Sequence, residues 1–87
     1  PEPDAEGRER ILEIHTKDLN LAEELDLAAI AAETEGFSGA ELASLTTEAG
    51  MFSIRDDRTE VRMEDFEDAR EKVTDAEGQE TGPIAFY

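Results

Sequence analysis

Cysteine is absent from this 87-residue chain, lysine occurs only at Lys17 and Lys72, and there is a single histidine, His15. Without cysteine there are no disulfides and no thiolate metal ligands, and one histidine leaves only carboxylates as partners, so no metal site is expected. No apolar run approaches the ~20 residues needed to cross a bilayer, which argues against a membrane span. No charged-then-apolar N-terminal stretch with a small-residue cleavage site is present, so a soluble, cytoplasmic chain is expected. Phosphate chemistry lacks its GxxxxGK[ST] loop. No serine or threonine has a visible base and orienter, so no catalytic residue is assigned. With 24 Asp+Glu, carboxylate proximity cannot single out an acid/base pair.

Charge is what the chain has in excess. The 24 acidic residues face only 8 Lys+Arg, a formal net charge of −16. Binding nucleic acid through its phosphates needs the opposite sign, which excludes that class. An acidic adaptor for basic proteins stays open. So does adaptation to a salt-rich cytoplasm, where repulsion is screened within about 3 Å at molar salt. The acidic residues are spread along the whole chain and lysine is scarce, a distribution that resembles haloarchaeal cytoplasmic proteins.

Length bounds the chain to one domain with a modest core. Pro1-Glu2-Pro3 is an extended lead-in, since proline fixes its own φ and disfavours helix in the residue before it. A helix is predicted from Asp4, its N-cap, to His15, with Ile11, Leu12 and Ile14 apolar. Thr16 to Leu25 is a connection anchored by Leu19, Leu21 and Leu25. A second helix is predicted from Leu27 to Glu35, capped by Asp26 and stopped at Gly36. Ser38-Gly39-Ala40-Glu41 fits a capping box, with Phe37 placed to staple against Leu42. The third helix then continues through Leu45, Ala49 and Phe52 to about Arg55. A polar turn, Asp56 to Thr59, and a short extended Glu60-Val61 precede a fourth helix marked by Met63, Phe66, Ala69 and Val73. The periodicity stops at Thr74, and Asp75 to Pro83 reads as a mobile linker before the apolar ending Ile84-Ala85-Phe86-Tyr87. The fold class is all-α: four helices and a flexible tail.

Two places invite chemistry. His15, at the end of the first helix, sits where the macrodipole favours a cation, and that alone accounts for it. Gly36-Phe37-Ser38-Gly39 is the only Gly-x-x-Gly, and a helix stop followed by a helix start accounts for it too. Gly39 and Ala40 nevertheless open a helix with almost no side chain, a surface against which a flat ring lies easily. The helix N-terminus adds free amides and partial positive charge.

The longer pattern is more specific. Pro3-Asp4-x-x-Gly7-Arg8-x-x-Ile11-Leu12-x-Ile14-His15-Thr16-Lys17 resembles the start of the small domain of AAA ATPases. Asp26-Leu27-x-x-Ile30-Ala31-x-x-Thr34-x-Gly36-Phe37-Ser38-Gly39-Ala40-Glu41-Leu42 is similar to the segment carrying their second sensor region. Glu48-Ala49-Gly50-Met51-Phe52-x-Ile54-Arg55, Val61 and Asp65-Phe66-x-x-Ala69-x-x-Lys72-Val73 resemble the proteasome-associated branch. The resemblance implies a lid domain over residues 1–73 that shares ATP or ADP with a separate large domain. Ile11 and His15 match residues flanking adenine and ribose, and Gly39 and Ala40 match the pair that closes the adenine pocket. Ala40 stands where more distant relatives place a sensor arginine, so this lid is expected to offer the γ-phosphate no cation. The P-loop, the acidic segment that holds Mg2+ and the arginine fingers are expected outside this chain, which alone should hydrolyse nothing. Glu41 replaces the usual aspartate. Arg62 replaces a threonine cap, which predicts a weaker start to the fourth helix.

Residues 74–87 form the second implied element. Proteasome regulators of this family end in a hydrophobic–tyrosine–any-residue tripeptide that inserts between α-subunits of the core particle and opens its gate. Ala85-Phe86-Tyr87 resembles it, with Phe86 in the tyrosine slot and Tyr87 bearing the terminal carboxylate, which a partner lysine would capture. The implied partners are the chain's own large domain, neighbouring subunits of a hexamer and the α ring of the core proteasome. The lid of a valosin-containing-type unfoldase and a free-standing acidic helical adaptor remain alternatives.

Overall fold

The computed structural model describes residues 2–79, with side chains up to Thr74. Four helices follow in order: α1 (Ala5–His15), α2 (Leu27–Glu33), α3 (Gly39–Arg55) and α4 (Met63–Gln79). Each start has a local cause. The Asp4 carboxylate accepts from the Gly7 amide at 2.8 Å, and Asp26 accepts from Ala28 and Ala29. Ser38 and Glu41 complete the expected box: the Ser38 amide donates to Glu41 Oε1 at 2.7 Å, and the Glu41 amide donates to Ser38 Oγ at 3.1 Å.

α2 ends at Glu33, two residues before the expected Glu35. The backbone leaves the helix at the buried Thr34, whose amide donates to the Ala31 carbonyl three residues back and whose hydroxyl donates to the Ile30 and Ala31 carbonyls at 3.0 and 3.2 Å. Gly36 then takes φ +89°, a left-handed turn that a side chain would strain. α4 starts at Met63 despite Arg62, because Asp65 in its first turn accepts from the Arg62 amide at 2.8 Å. It also runs past Val73 to Gln79, so part of the stretch read as linker is helical. An established helix propagates at little cost through helix formers such as Ala76 and Glu77, with no apolar stripe required.

The core gathers Leu12 from α1, Ile30 and Ala31 from α2, Leu42, Leu45 and Ala49 from α3, and Phe66 and Ala69 from α4. α3 is the central element, packed on α1 at one side and α4 at the other, while α2 leans on α1. Leu19, Leu21 and Leu25 pack against this core from the α1–α2 connection, as their spacing implies. Val61 closes it through a parallel bridge with Leu21: Ala22 donates to the Val61 carbonyl and Val61 to that of Asn20, both at 2.8 Å. Among the described residues, no helix is long and apolar enough to cross a membrane.

Arg8 is a buried guanidinium that periodicity did not reveal. Its Nε donates to the Ala31 carbonyl at 2.8 Å and its Nη1 to that of Pro3 at 3.0 Å. It ties the lead-in and the end of α2 to α1. Carbonyl oxygens of two segments thereby satisfy a charge that would otherwise be costly to bury.

Candidate nucleotide-facing edge

The turn between α2 and α3 decides where the second glycine lies. Gly36 reverses the chain, and Ser38 adopts the extended conformation of an N-cap (φ −83°, ψ 170°), so Gly39 and Ala40 become the first two helical residues. Their amides belong to the first turn, which has no intrahelical acceptors and carries the positive end of the helix dipole.

α1 lies alongside. A Cβ built on Gly39 would stand 3.9 Å from Ile11 Cδ1, so the two residues are neighbours across α1 and α3. That distance is ordinary van der Waals contact, so alanine would fit at position 39 without displacing anything. Gly39 is therefore not imposed by the packing of this domain.

Ile11 is half-buried against the core and offers an apolar flank. Ala40 is exposed and adds only a methyl group. His15, four residues after Ile11, shares its face of α1 and is exposed at the last turn. Ile11 and Gly39 are thus in contact range, Ala40 follows on α3, and His15 lies one turn along α1. Ala85, Phe86 and Tyr87 lie outside the described residues.

The donor set suits a nucleotide base better than its phosphates. Isoleucine, bare glycine backbone and an alanine methyl make a small apolar platform for a flat ring, and the adjoining amides favour negative charge nearby. No lysine or arginine occupies positions 36–42, so phosphates and their metal need groups supplied elsewhere.

The residues that sequence reasoning missed lie at the opposite end of α3. Arg58 donates from Nη1 and Nη2 to the two oxygens of Asp65, each at 2.8 Å, and from Nε to Asp56 at 2.8 Å. Asp65 is 2 % exposed. The Arg58 guanidinium holds its carboxyl below the ordinary carboxylate value, burial opposes this, and the Arg62 amide assists. Arg58 is pushed upward in turn by the same two carboxylates. The pair fastens the α3–α4 turn. One signal was legible, an acid three residues after the cap position; the identity of its cation was not.

A family model for the AAA+ lid domain matches residues 24–68. Proteasome-activating nucleotidase 2 of Haloferax volcanii is 55% identical over the whole chain, which covers 21% of that protein. Proteasome-activating nucleotidase 2 of Halobacterium salinarum is 55% identical over 95% of the chain and 20% of its own length. The proteasome-activating nucleotidase of Methanothermobacter thermautotrophicus is 51% identical over 92% of the chain, again 20% of its own length. The chain therefore spans about a fifth of the curated relatives it matches. With the family model matching more than half its residues and a four-helix fold to accompany it, the chain belongs to the AAA+ lid domain family.

Proposed function

We propose that this domain closes the adenine side of a nucleotide site in a ring-forming, ATP-dependent unfoldase that serves the proteasome. The observation that carries the reading is the Ile11–Gly39 juxtaposition, a bare helix start beside an apolar flank that internal packing does not demand. Similarity to proteasome-activating nucleotidases, including two from halophilic archaea, supports it.

In this reading the edge of the adenine rests on the platform made by Ile11 and Gly39, Ala40 closes the pocket beside Gly39, and His15 reaches toward the ribose. ATP or ADP supplies the binding energy that draws the lid onto a separate large domain. That domain holds the phosphates and Mg2+. Rotation of the lid then reports nucleotide state to the next subunit of a hexamer. The C-terminal Ala85-Phe86-Tyr87 docks on the α ring of the core proteasome and opens its gate. The net charge of −16 is an adaptation to a salt-rich cytoplasm.

The test is nucleotide titration of the full-length protein carrying Gly39→Leu. A leucine side chain fills the platform, and the dissociation constant for ADP should rise at least about tenfold, corresponding to roughly 1.4 kcal/mol. Unchanged affinity would remove the adenine edge from α3.

A further inference from the structure

One buried charge lies next to the candidate edge without belonging to it. Arg8 precedes Ile11 by three residues on α1, is 6% exposed, and donates from Nε to the Ala31 carbonyl near the end of α2 at 2.8 Å. That carbonyl also accepts from the Thr34 amide at 3.4 Å and the Thr34 hydroxyl at 3.2 Å. The Thr34 carbonyl accepts in turn from the Phe37 amide at 3.0 Å, and Phe37 leads into the Ser38 cap and Gly39. Gly39 returns to α1 at Ile11, one turn beyond Arg8. The path is closed: Arg8 holds the end of α2, the end of α2 sets the turn, and the turn brings Gly39 back beside the helix that carries Arg8.

The guanidinium is itself held from the other side. Its Nη1 donates to the Pro3 carbonyl at 3.0 Å. Gly7 permits this, because a Cβ there would stand 3.2 Å from both Pro3 Cβ and Asp4 Oδ1, closer than side chains ordinarily pack. The lead-in therefore lies against the first turn of α1 and keeps Arg8 from swinging out to solvent. Burying a guanidinium is costly, and apolar replacement of buried ionic groups is often neutral or stabilising, so stability alone does not call for an arginine here. The best-attested use of such a group is to fix register, and the register in question is that of α1, α2 and the turn that follows.

We infer that Arg8 is a positioning residue of the nucleotide site: without touching the nucleotide, it sets the separation of Ile11 and Gly39 and so the shape of the platform on which the base lies. This rests on the adenine edge proposed above. A platform built from one isoleucine and bare backbone has no long side chain with which to adjust, so a small displacement of the α2–α3 turn is felt at the base. The phosphates are held elsewhere in that reading, so such a displacement weakens binding of the base and leaves polyphosphate binding as it was. Arg8→Met keeps an unbranched stem and removes both hydrogen bonds. Arg8→Lys keeps the charge but offers one nitrogen in place of a planar fork.

The experiment measures binding of ADP and of inorganic tripolyphosphate to the full-length protein as wild type, Arg8→Met, Arg8→Lys and Gly39→Leu. In Arg8→Met the dissociation constant for ADP should rise at least about fivefold while that for tripolyphosphate stays within about twofold, and Arg8→Lys should lose less. Circular dichroism establishes that each variant is folded, and Arg8→Lys decides the matter if Arg8→Met is not. Wild-type ADP affinity in the folded Arg8 variants, with Gly39→Leu weakened, overturns the positioning role and leaves the adenine edge standing. Equal losses for ADP and tripolyphosphate, or loss of the fold in both Arg8 variants, also overturn it, because Arg8 would then serve the fold alone. Wild-type ADP affinity in Gly39→Leu removes the edge itself, and the inference with it.

Discussion

Arg58 and Asp65 meet through two parallel hydrogen bonds of 2.8 Å, one from each terminal nitrogen to each carboxylate oxygen, with the carboxylate almost wholly buried. The same Asp65 oxygen that faces Nη1 also accepts from the Arg62 amide. One side chain thus caps α4 and anchors the turn that follows α3. Because α3 carries the proposed nucleotide-facing edge at one end and this clamp at the other, both sit on one helix.

Replacing the carboxylate tests that role. Asp65→Asn keeps the shape but loses the charge and one accepting oxygen, leaving a buried donor of Arg58 or Arg62 unpaired. The domain should lose about 2 kcal/mol of stability. Thermal unfolding followed by circular dichroism reads this directly, and Arg58→Lys, which cannot make the fork, should also lower the midpoint. An unchanged midpoint in both variants would show the clamp to be ornamental.

The pH dependence has a definite sign. Arg58 holds Asp65 below its ordinary value of 3.8, so the stabilisation is fully present above that value and is lost as pH falls through the folded-state value below it. Wild type and Asp65→Asn should therefore differ by a nearly constant amount from about pH 5 to 7, a range that begins about one unit above the ordinary aspartate value. The difference should shrink below about pH 4. Urea unfolding at a series of pH values measures it. A gap that persists undiminished into strong acid would contradict the assignment.

Much of this was legible in the chain because local chemistry and global packing agree. Ser38 and Glu41 form the reciprocal box that their spacing implies, Asp4 and Asp26 cap as expected, and the apolar repeats through Leu45, Ala49, Phe66 and Ala69 turn inward. Where polar groups enter the core, periodicity was blind. Thr46 and Ser53 occupy buried positions of α3 by donating their hydroxyls to the Leu42 and Gly50 carbonyls. Thr34, at the end of α2, is buried in the same manner. Arg8 and Arg58 were unreadable for another reason: among 24 acids any arginine has many candidate partners, and Arg8 chose two carbonyls instead. At the candidate site, the resemblance nominated Ile11 and Gly39 and the fold set them side by side; why the glycine stays bare emerges only from the space around it.

The tail has its own test. A peptide of residues 79–87, Gln79 to Tyr87, added to core proteasome should stimulate hydrolysis of a small fluorogenic substrate. Deleting Tyr87, which removes the position bearing the terminal carboxylate, should abolish the effect. Absence of stimulation both by this peptide and by its Phe86→Tyr version would leave gate opening without support from this ending.

The most direct measurement of the central claim is photolabelling of the full-length protein with an azido-adenine nucleotide, followed by peptide mapping. The account predicts adducts within Ile11–His15 and at Gly39–Ala40, suppressed by excess ADP and reduced by Gly39→Leu. ADP-protected labelling that falls elsewhere in this domain, on α4 or the α3–α4 turn, or that bypasses the domain entirely, would contradict it.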